Sequence, residues 1–486
     1  MTKSRWRLYR TTHDAIPSRM NLSSLVDQPP PRDVPPGTPF LLGPDFDYDV
    51  DLNRFFASSS MLLMSVNTQV GYARDIGQFL TFLSSARGQH DWKKALETDF
   101  IAYYFWRCRD ESGPRVSAST WNREVAAINK FYRWQLAVGI VDGNPVPQRV
   151  VGSTSAVDRR TQRDVPAAVM HGGRRTRMRW LPSDSYRRWR DVGIRGFDPN
   201  GMPSTDFRGR WASRNATFCD LMVRTGLRLS EQAALLVSDV PRDPTKSGYQ
   251  RFWLPAAVSK NGAARWVYVP SSVARDLDGY LRFDRSEAVA EARDARRYER
   301  TPGAMVFAGG KVTVYQSSGA TTRPAKLDAM DRAERRRILI ETPEGLEPAA
   351  LWLSERGLPV AVPTWKSMFR AANARCERQG VSLHCSAHTL RHSFAVLTLE
   401  QLQRGHISKL SEFNPQQRQH YVQIFGDPLD WVRRCLGHRS VETTQIYLHA
   451  LAELEMETRM ALISDAWDDP RLSAVGTVQS EMVPAS

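Results

Sequence analysis

The sequence predicts a mainly helical α+β protein in which an all-helical block precedes a larger mixed domain with a small β-sheet. Three observations carry that prediction. Apolar residues between 49 and 147 recur at helical spacing, as in Tyr72, Ile76, Phe79, Leu80 and Leu83. Two short runs, 251–254 and 265–269, flank Ser259-Lys260-Asn261-Gly262 and read as strands joined by a turn. Stretches of helical period fill much of the rest up to about residue 455. At 486 residues the chain is too long for one ordinary core, so two or three domains are expected.

Each element can be justified in order. Residues 1–48 contain Pro29-Pro30-Pro31 and Pro35-Pro36, and predict an extended or disordered arm. In the helical block (49–147), Asn67-Thr68 opens the first long helix. A second runs through Phe100, Tyr103, Tyr104 and Trp106. A third starts near Ser117-Ala118-Ser119-Thr120, carries Val125, Ile128, Phe131, Tyr132 and Leu136, and ends at Gly139. The polar faces bear Arg74, Arg123, Lys130 and Arg133, which can meet phosphates or simply face solvent. Residues 148–179 read as a basic linker with Arg174, Arg175, Arg177 and Arg179; such a linker suits a chain that neutralises DNA phosphates.

The mixed domain spans 180–455. Leu181-Pro182-Ser183-Asp184 starts a helix, with Ser or Asp as cap. Residues 218–237 are helical around Thr225-Gly226-Leu227-Arg228, and the hairpin follows. Residues 275–300 predict a charged helix, 301–350 an insertion of ambiguous structure, and 405–430 a second insertion. Helices are expected at 365–378, 389–403, 429–435 and 441–454, with a loose tail over 456–486.

Charge narrows the partner. Lys and Arg total 67 against 52 Asp and Glu, giving a net charge of +15. A pI near 9.8 favours a polyanion, nucleic acid first. No apolar run is long enough to span a membrane, and basic Met1-Thr2-Lys3-Ser4-Arg5-Trp6 lacks the apolar stretch of a secretory signal. A cytoplasmic protein with no membrane partner is expected. The five cysteines include no CxxC pair, so no disulfide framework is indicated. Cys376, His384, Cys385 and His388 are close in sequence, but adjacent His384-Cys385 suits one tetrahedral ion poorly. No metal and no cofactor are expected.

The chemistry concentrates in a few residues. Attack on a phosphodiester needs cations on the non-bridging oxygens, an aimed nucleophile and a proton donor for the leaving oxygen. Arg228 and Arg391 are the cation candidates, because guanidinium groups fork onto two phosphate oxygens. His388 stands three residues before Arg391 and shares its helix face, where it can help take a tyrosine proton. His438 follows a helix-breaking glycine in Leu436-Gly437-His438. Lys260, at the hairpin tip, is the candidate general acid, with Lys246 and Lys311 as alternatives. Tyr447, nine residues past His438, is the candidate nucleophile. Its phenol, with an ordinary pKa near 10, needs neighbouring cations and a base. Taken singly, each of these residues has an ordinary packing or surface role; their joint order within one domain is the signal.

That order resembles the tyrosine recombinase (phage integrase) family. The matching stretches are Thr225-Gly226-Leu227-Arg228-Leu229-Ser230-Glu231, Lys260, His388-Thr389-Leu390-Arg391-His392-Ser393-Phe394-Ala395, Leu436-Gly437-His438 and Thr443-Thr444-Gln445-Ile446-Tyr447. The resemblance covers about residues 50–455. It implies an all-α SAM-like core-binding domain at 49–147, a catalytic domain at 180–455, and a C-shaped clamp on double-stranded DNA. It implies attack by Tyr447 to form a 3′-phosphotyrosine and release a 5′-hydroxyl. Strand exchange would then pass through a Holliday junction in a homo-tetramer, without metal or ATP. Glu231 matches an acidic supporting position, and His392 is expected to support its helix without taking part in catalysis. A nucleoid-associated integrase or transposase of a mobile element is the leading expectation, with accessory proteins as possible partners. A topoisomerase or resolvase of the same chemistry, and a catalytically silent DNA-binding protein, are the alternatives. The gaps from Arg228 to Lys260 (32 residues) and from Lys260 to His388 (128 residues) are longer than a minimal member needs.

Overall fold

A computed structural model describes residues 5–12, 34–88, 91–151, 163–170, 178–241, 243, 245–301, 303–316, 319–412 and 427–460. The chain divides into two compact units, Met1–Thr176 and Arg177–Ser486.

In the first unit, every regular element described between residues 49 and 147 is helical. The helices are α1 (Val50–Arg54), α2 (Ser59–Leu62), α3 (Val66–Ala86), α4 (Glu97–Cys108) and α5 (Ala118–Ala137). Helix α3 begins slightly before the expected Asn67-Thr68, because Ser65 Oγ accepts the Thr68 N–H at 3.3 Å and caps it. Ser117 caps α5 in the same way. Helices α3 and α5 pack over an aromatic core that includes Phe55, Phe79, Tyr103, Trp121, Phe131 and Tyr132. Phe79 meets Tyr103 edge-on at 5.2 Å between ring centroids.

Two expectations for the flanks are corrected. The arm is partly folded: strand β1 (Arg7–Arg10) pairs antiparallel with β2 (Pro39–Leu42). Trp6 and Leu41 are buried in the helical core. Buried Asn53 explains the docking, since its side chain accepts from Leu41 N–H at 2.8 Å and donates to Leu41 C=O at 2.9 Å. Between the strands, Pro29-Pro30-Pro31 lies outside the described residues, whereas Pro35 C=O accepts from the Thr11 and Thr38 hydroxyls at 2.9 and 2.7 Å. The expected linker likewise contributes β3 (Gln148–Val151) and β4 (Arg163–Pro166), paired antiparallel. It continues onto α5, where Trp121 Nε1 donates to Ala168 C=O at 2.8 Å. Asn122 exchanges hydrogen bonds with the Met170 backbone.

In the second unit, α6 (Ser183–Arg190), α7 (Ala212–Thr225), α8 (Leu229–Gln232) and α9 (Ser271–Tyr280) surround the hairpin β5 (Tyr249–Leu254) and β6 (Arg265–Pro270). Then come α10 (Ser286–Asp294), α11 (Arg332–Arg335), α12 (Val362–Arg378), α13 (Ala387–Glu412), α14 (Pro428–Leu436) and α15 (Glu442–Met460). Trp189, Phe218, Trp352 and Trp365 fill the core, with Phe218 stacked on Trp365 at 3.6 Å. Helix α7 stops at Gly226, where φ is +65°. A Cβ there would stand 2.3 Å from the Phe394 ring, so both backbone and space require glycine.

The second unit also departs from expectation. Residues 218–237 are not one helix, since α7 ends and α8 restarts after Gly226. The β5–β6 connection is a ten-residue loop, 255–264, with a 3₁₀ turn at Lys260–Gly262. The charged helix at 275–300 is instead α9, a π-type turn at Leu281–Arg285, and α10, which stops at Asp294. The ambiguous stretch 301–350 folds into a five-stranded sheet. Its strands are β7 (Met305–Ala308), β8 (Lys311–Gln316), β9 (Gly319–Pro324), β10 (Ile338–Thr342) and β11 (Gly345–Pro348), in the order β11-β10-β7-β8-β9. Only the β7–β10 pairing is parallel. Of the 405–430 segment, α13 extends through Glu412, and residues 413–426 lie outside the described residues.

A buried ion pair ties the inserted sheet to the rest of the unit. Arg335 in α11 is 0% exposed and donates to Asp239 Oδ2 at 2.6 Å. Its only other carboxylate among the described residues is Asp328 at 3.7 Å. Asp239→Ala is expected to cost about 3 kcal/mol, because it strips a buried guanidinium of its main partner. Chemical denaturation of the full chain measures this; a loss below about 1 kcal/mol would show that the pair is not a tether.

Candidate active site

The site is organised by Glu231, on α8 and 0% exposed. Its carboxylate accepts from Arg228 Nη1 at 2.9 Å and from Arg265 Nη2 at 2.6 Å. It also accepts the backbone N–H of Arg228 at 3.0 Å and of Lys260 at 3.3 Å. One side chain thus fixes the Thr-Gly-Leu-Arg turn, the inner face of β6 and the loop bearing Lys260. Arg265 extends the chain of contacts, since its Nε donates to Cys435 C=O, at the end of α14, at 2.8 Å.

Arg391, on α13 and 4% exposed, closes the cluster from the other side. It donates through Nη1 to Gly226 C=O and through Nη2 to Leu436 C=O at 2.5 Å. These acceptors are carbonyls left open at the ends of α7 and α14. Gly437 then turns left-handed, with φ of +63°, and delivers His438. His438 Nε2 lies 3.3 Å from Arg391 Nη2, and its Nδ1 lies 3.0 Å from Thr444 Oγ1 on α15. Tyr447, also on α15, is 1% exposed, and its ring stacks on His438 with 6.3 Å between centroids. Its hydroxyl is 3.1 Å from His392 Nδ1.

The charges are unbalanced. Three arginines (228, 265 and 391) stand with one carboxylate, which pairs with Arg228 and Arg265 while Arg391 is held by neutral groups. Burial raises the cost of the Glu231 charge, but Arg265 and then Arg228 overcome it and hold the carboxyl down at about 2. Burial, then the Arg228 charge, pushes the Arg391 guanidinium down to about 9. His392 is held at about 4 by burial and by His388 and Arg391, and His438 at about 4 by burial and by Arg391 and Arg228. His388, though exposed, has its ring partly desolvated by its neighbours and is lowered by that, then by Arg391, Arg228, Lys260 and Lys366. Burial raises Tyr447, opposed by Arg391 and Arg228. At neutral pH these histidines are neutral and the phenol is protonated, beside an excess of positive charge suited to an anion.

Arg228, His388, Arg391, His438 and Tyr447, from four separate stretches of sequence, therefore meet in one place, with Lys260 exposed on its loop beside them. Two features differ from the sequence reading. His392, expected only to support its helix, is the residue touching the Tyr447 hydroxyl, and His388 is exposed. Arg265 was not anticipated at all, although Arg265, Val267 and Val269 alternate, and that period places the arginine on the buried face of β6. A groove of about 470 Å³, lined by Arg224, Tyr249, Trp266, Phe394 and Trp431 among others, includes none of the candidate site residues.

The candidate phosphate contacts of the helical block and of the basic segment after it are more ordinary. Arg74 is exposed on α3. Arg123 forks onto buried Asp75 at 2.7 and 2.8 Å, which gives it a structural duty. Lys130 Nζ lies 3.4 Å from Ser60 C=O. Arg133 and Arg179 are exposed, while Arg174, Arg175 and Arg177 lie outside the described residues.

Residues 60–139 match the family model described as phage integrase, N-terminal SAM-like domain. Tyrosine recombinase XerC of Roseiflexus castenholzii is 23% identical over 86% of this chain and 92% of its own length. Tyrosine recombinase XerD of Bifidobacterium longum is 24% identical over 81% of this chain and 90% of its own. Among solved structures, the XerH site-specific recombinase bound to its palindromic difH substrate in a post-cleavage complex matches at 14% identity. It covers 83% of this chain and 80% of that one, with a TM-score of 0.43. Residues 60–139 thus carry the phage integrase SAM-like domain, and along most of its length the chain is similar to tyrosine recombinases, the same family its motifs resemble.

Proposed function

We propose that the chain is a site-specific DNA recombinase that cuts and rejoins strands through a 3′-phosphotyrosine. One observation carries this reading: a tyrosine hydroxyl and three imidazoles stand among three guanidinium groups, two of them paired with a single carboxylate and the third, Arg391, bound to neutral groups. A phosphodiester supplies the missing negative charge. Arg228 and Arg391 take its non-bridging oxygens, with His438 beside them. The Tyr447 oxygen attacks phosphorus, and the bond to the 5′ oxygen breaks. The phenol proton passes to His392, and Lys260 protonates the departing 5′ oxygen. A 5′-hydroxyl from a second duplex reverses the step, breaking the bond to tyrosine. Bond energy stays in the phosphotyrosine, so the exchange needs no ATP. His388 lies over the phosphate from the exposed side, while Glu231 aims Arg228.

Exchange between two duplexes involves four strands, and four protomers with one Tyr447 each would carry it through a Holliday junction. Tyr447 is 1% exposed, so a shift of α15 has to accompany attack. The relatives named as tyrosine recombinases support the reading, as does the basic net charge of +15. No helix among the described residues is long and apolar enough to cross a membrane, and the chain is proposed to act where the cell keeps its DNA. We place the enzyme with a mobile element whose own ends are the recombination sites. Excision or insertion of the DNA flanking its gene tests that narrower assignment. The complete residue set argues against a catalytically silent protein.

On a nicked suicide duplex carrying the cognate site, wild type is expected to form a covalent adduct and Tyr447→Phe none, with DNA binding retained. An adduct in the Phe variant would sink the mechanism. Glu231→Gln should slow adduct formation about 100-fold, because it loosens Arg228 and Arg265 together. An unchanged rate would remove Glu231 from the site.

The free protein should also lose stability on acidification in two windows. The folded pKa values of His392 and His438 lie below the unfolded value near 6.5, so their contribution is complete above pH 6.5 and is lost as pH falls towards about 4. It is on the order of 3 kcal/mol for His392 and less for His438, whose greater exposure to solvent screens it. Glu231, depressed from 4.5 to about 2, contributes above pH 4.5 and loses that contribution as pH falls towards 2. Denaturation midpoints across this range check both windows. A His392→Asn/His438→Asn double variant should flatten the upper one; equal slopes in the two proteins would contradict the assignment.

A further inference from the structure

The five-stranded insertion reaches the candidate site through one side chain. Arg332, at the start of α11, donates from Nη1 to Ser230 Oγ at 2.8 Å. Ser230 lies between Arg228 and Glu231 in sequence, and two residues of chain span at most about 7 Å. The insertion thus presents an exposed guanidinium at the rim of the phosphate-binding cluster.

The local charges leave that guanidinium available. The two nearest acids in sequence are already used: Asp331 accepts the N–H groups of Ala333 and Glu334, and Glu334 accepts the Asp331 N–H and pairs with Arg323 at 3.2 Å. Arg332 itself makes no ion pair among the described residues, and its tether is a neutral hydroxyl. Buried Arg335, held by Asp239, anchors α11, so Arg332 projects from a fixed support. The adjoining sequence has the same character. Residues 303–327 carry Lys311, Arg323 and Lys326 and no Asp or Glu, and they include strands β8 and β9 at the sheet edge, where Thr313 and Tyr315 lie on one face of β8.

We infer that Arg332 is a positioning residue that grips the DNA backbone beside the phosphate held by Arg228, making the inserted sheet a second, sequence-blind DNA contact of this unit. The inference rests on the recombinase reading and extends it to a segment outside the motifs that define the family resemblance. A phosphate contact neutralises one backbone charge, releases counterions and carries no base information.

The test uses the full chain and a duplex of about 30 base pairs of arbitrary sequence, because the contact is independent of sequence. Binding is followed by fluorescence anisotropy at several NaCl concentrations in a Tyr447→Phe background. Arg332→Ala should lower the slope of log K against log salt by about 0.9, and Arg332→Lys should restore it. Thermal unfolding should be unchanged in both, since the α11 caps do not use the Arg332 side chain. A slope in Arg332→Ala equal to the parent's overturns the inference. So does a fall in slope that comes with loss of thermal stability and is not restored by lysine, which would make the role structural. If the parent itself shows no salt-dependent binding, the recombinase reading fails first; if it binds and only the Arg332 effect is missing, the recombinase reading stands without this contact.

Discussion

The candidate site depends on one buried carboxylate. Glu231 has no exposed surface, and five hydrogen-bond donors from three residues converge on it. Taking that charge out of water would cost several kcal/mol without Arg228 and Arg265 beside it. The same contacts set the geometry: Arg228 is aimed, the Lys260 loop is pinned by its backbone, and Arg265 reaches on to the end of α14, from which Gly437 turns to His438. Arg391 makes the complementary closure by capping the open carbonyls of two helices. Five elements meet here because their unpaired polar groups satisfy one another.

The arrangement also holds a cost in reserve. Three guanidinium groups with one carboxylate repel one another in a buried setting, and the neighbouring histidines are held neutral by the same field. A bound phosphate relieves that repulsion, so on the proposed reading the free protein is strained towards its ligand. The phenol of Tyr447 is protonated in the free protein, with a neutral imidazole already against its hydroxyl. The insertion adds cationic surface at the edge of the same cluster.

Much of the site was legible in the sequence because its residues fall in short motifs of fixed spacing. Arg228 follows a glycine that must turn left-handed, His388 and Arg391 share a helix face, and His438 and Tyr447 bracket the start of α15. What the sequence hid was long-range. His392 meets Tyr447 across 55 positions, and Arg265 meets Glu231 across 34, and neither separation leaves a local pattern. The inserted sheet was ambiguous because its strands are only four to six residues long, too short for alternation to be decisive. The arm was misread for a different reason. Its prolines dominate the composition, while its docking rests on Trp6, Leu41 and the buried amide of Asn53.

The central claim is that the cluster around Glu231 presents a phosphodiester to Tyr447. Digesting the trapped protein–DNA adduct and sequencing the modified peptide by mass spectrometry tests it most directly. The account predicts DNA joined through its 3′ phosphate to the peptide containing Tyr447, with a free 5′-hydroxyl on the released strand. Attachment to any other residue, or through a 5′ phosphate, would contradict it.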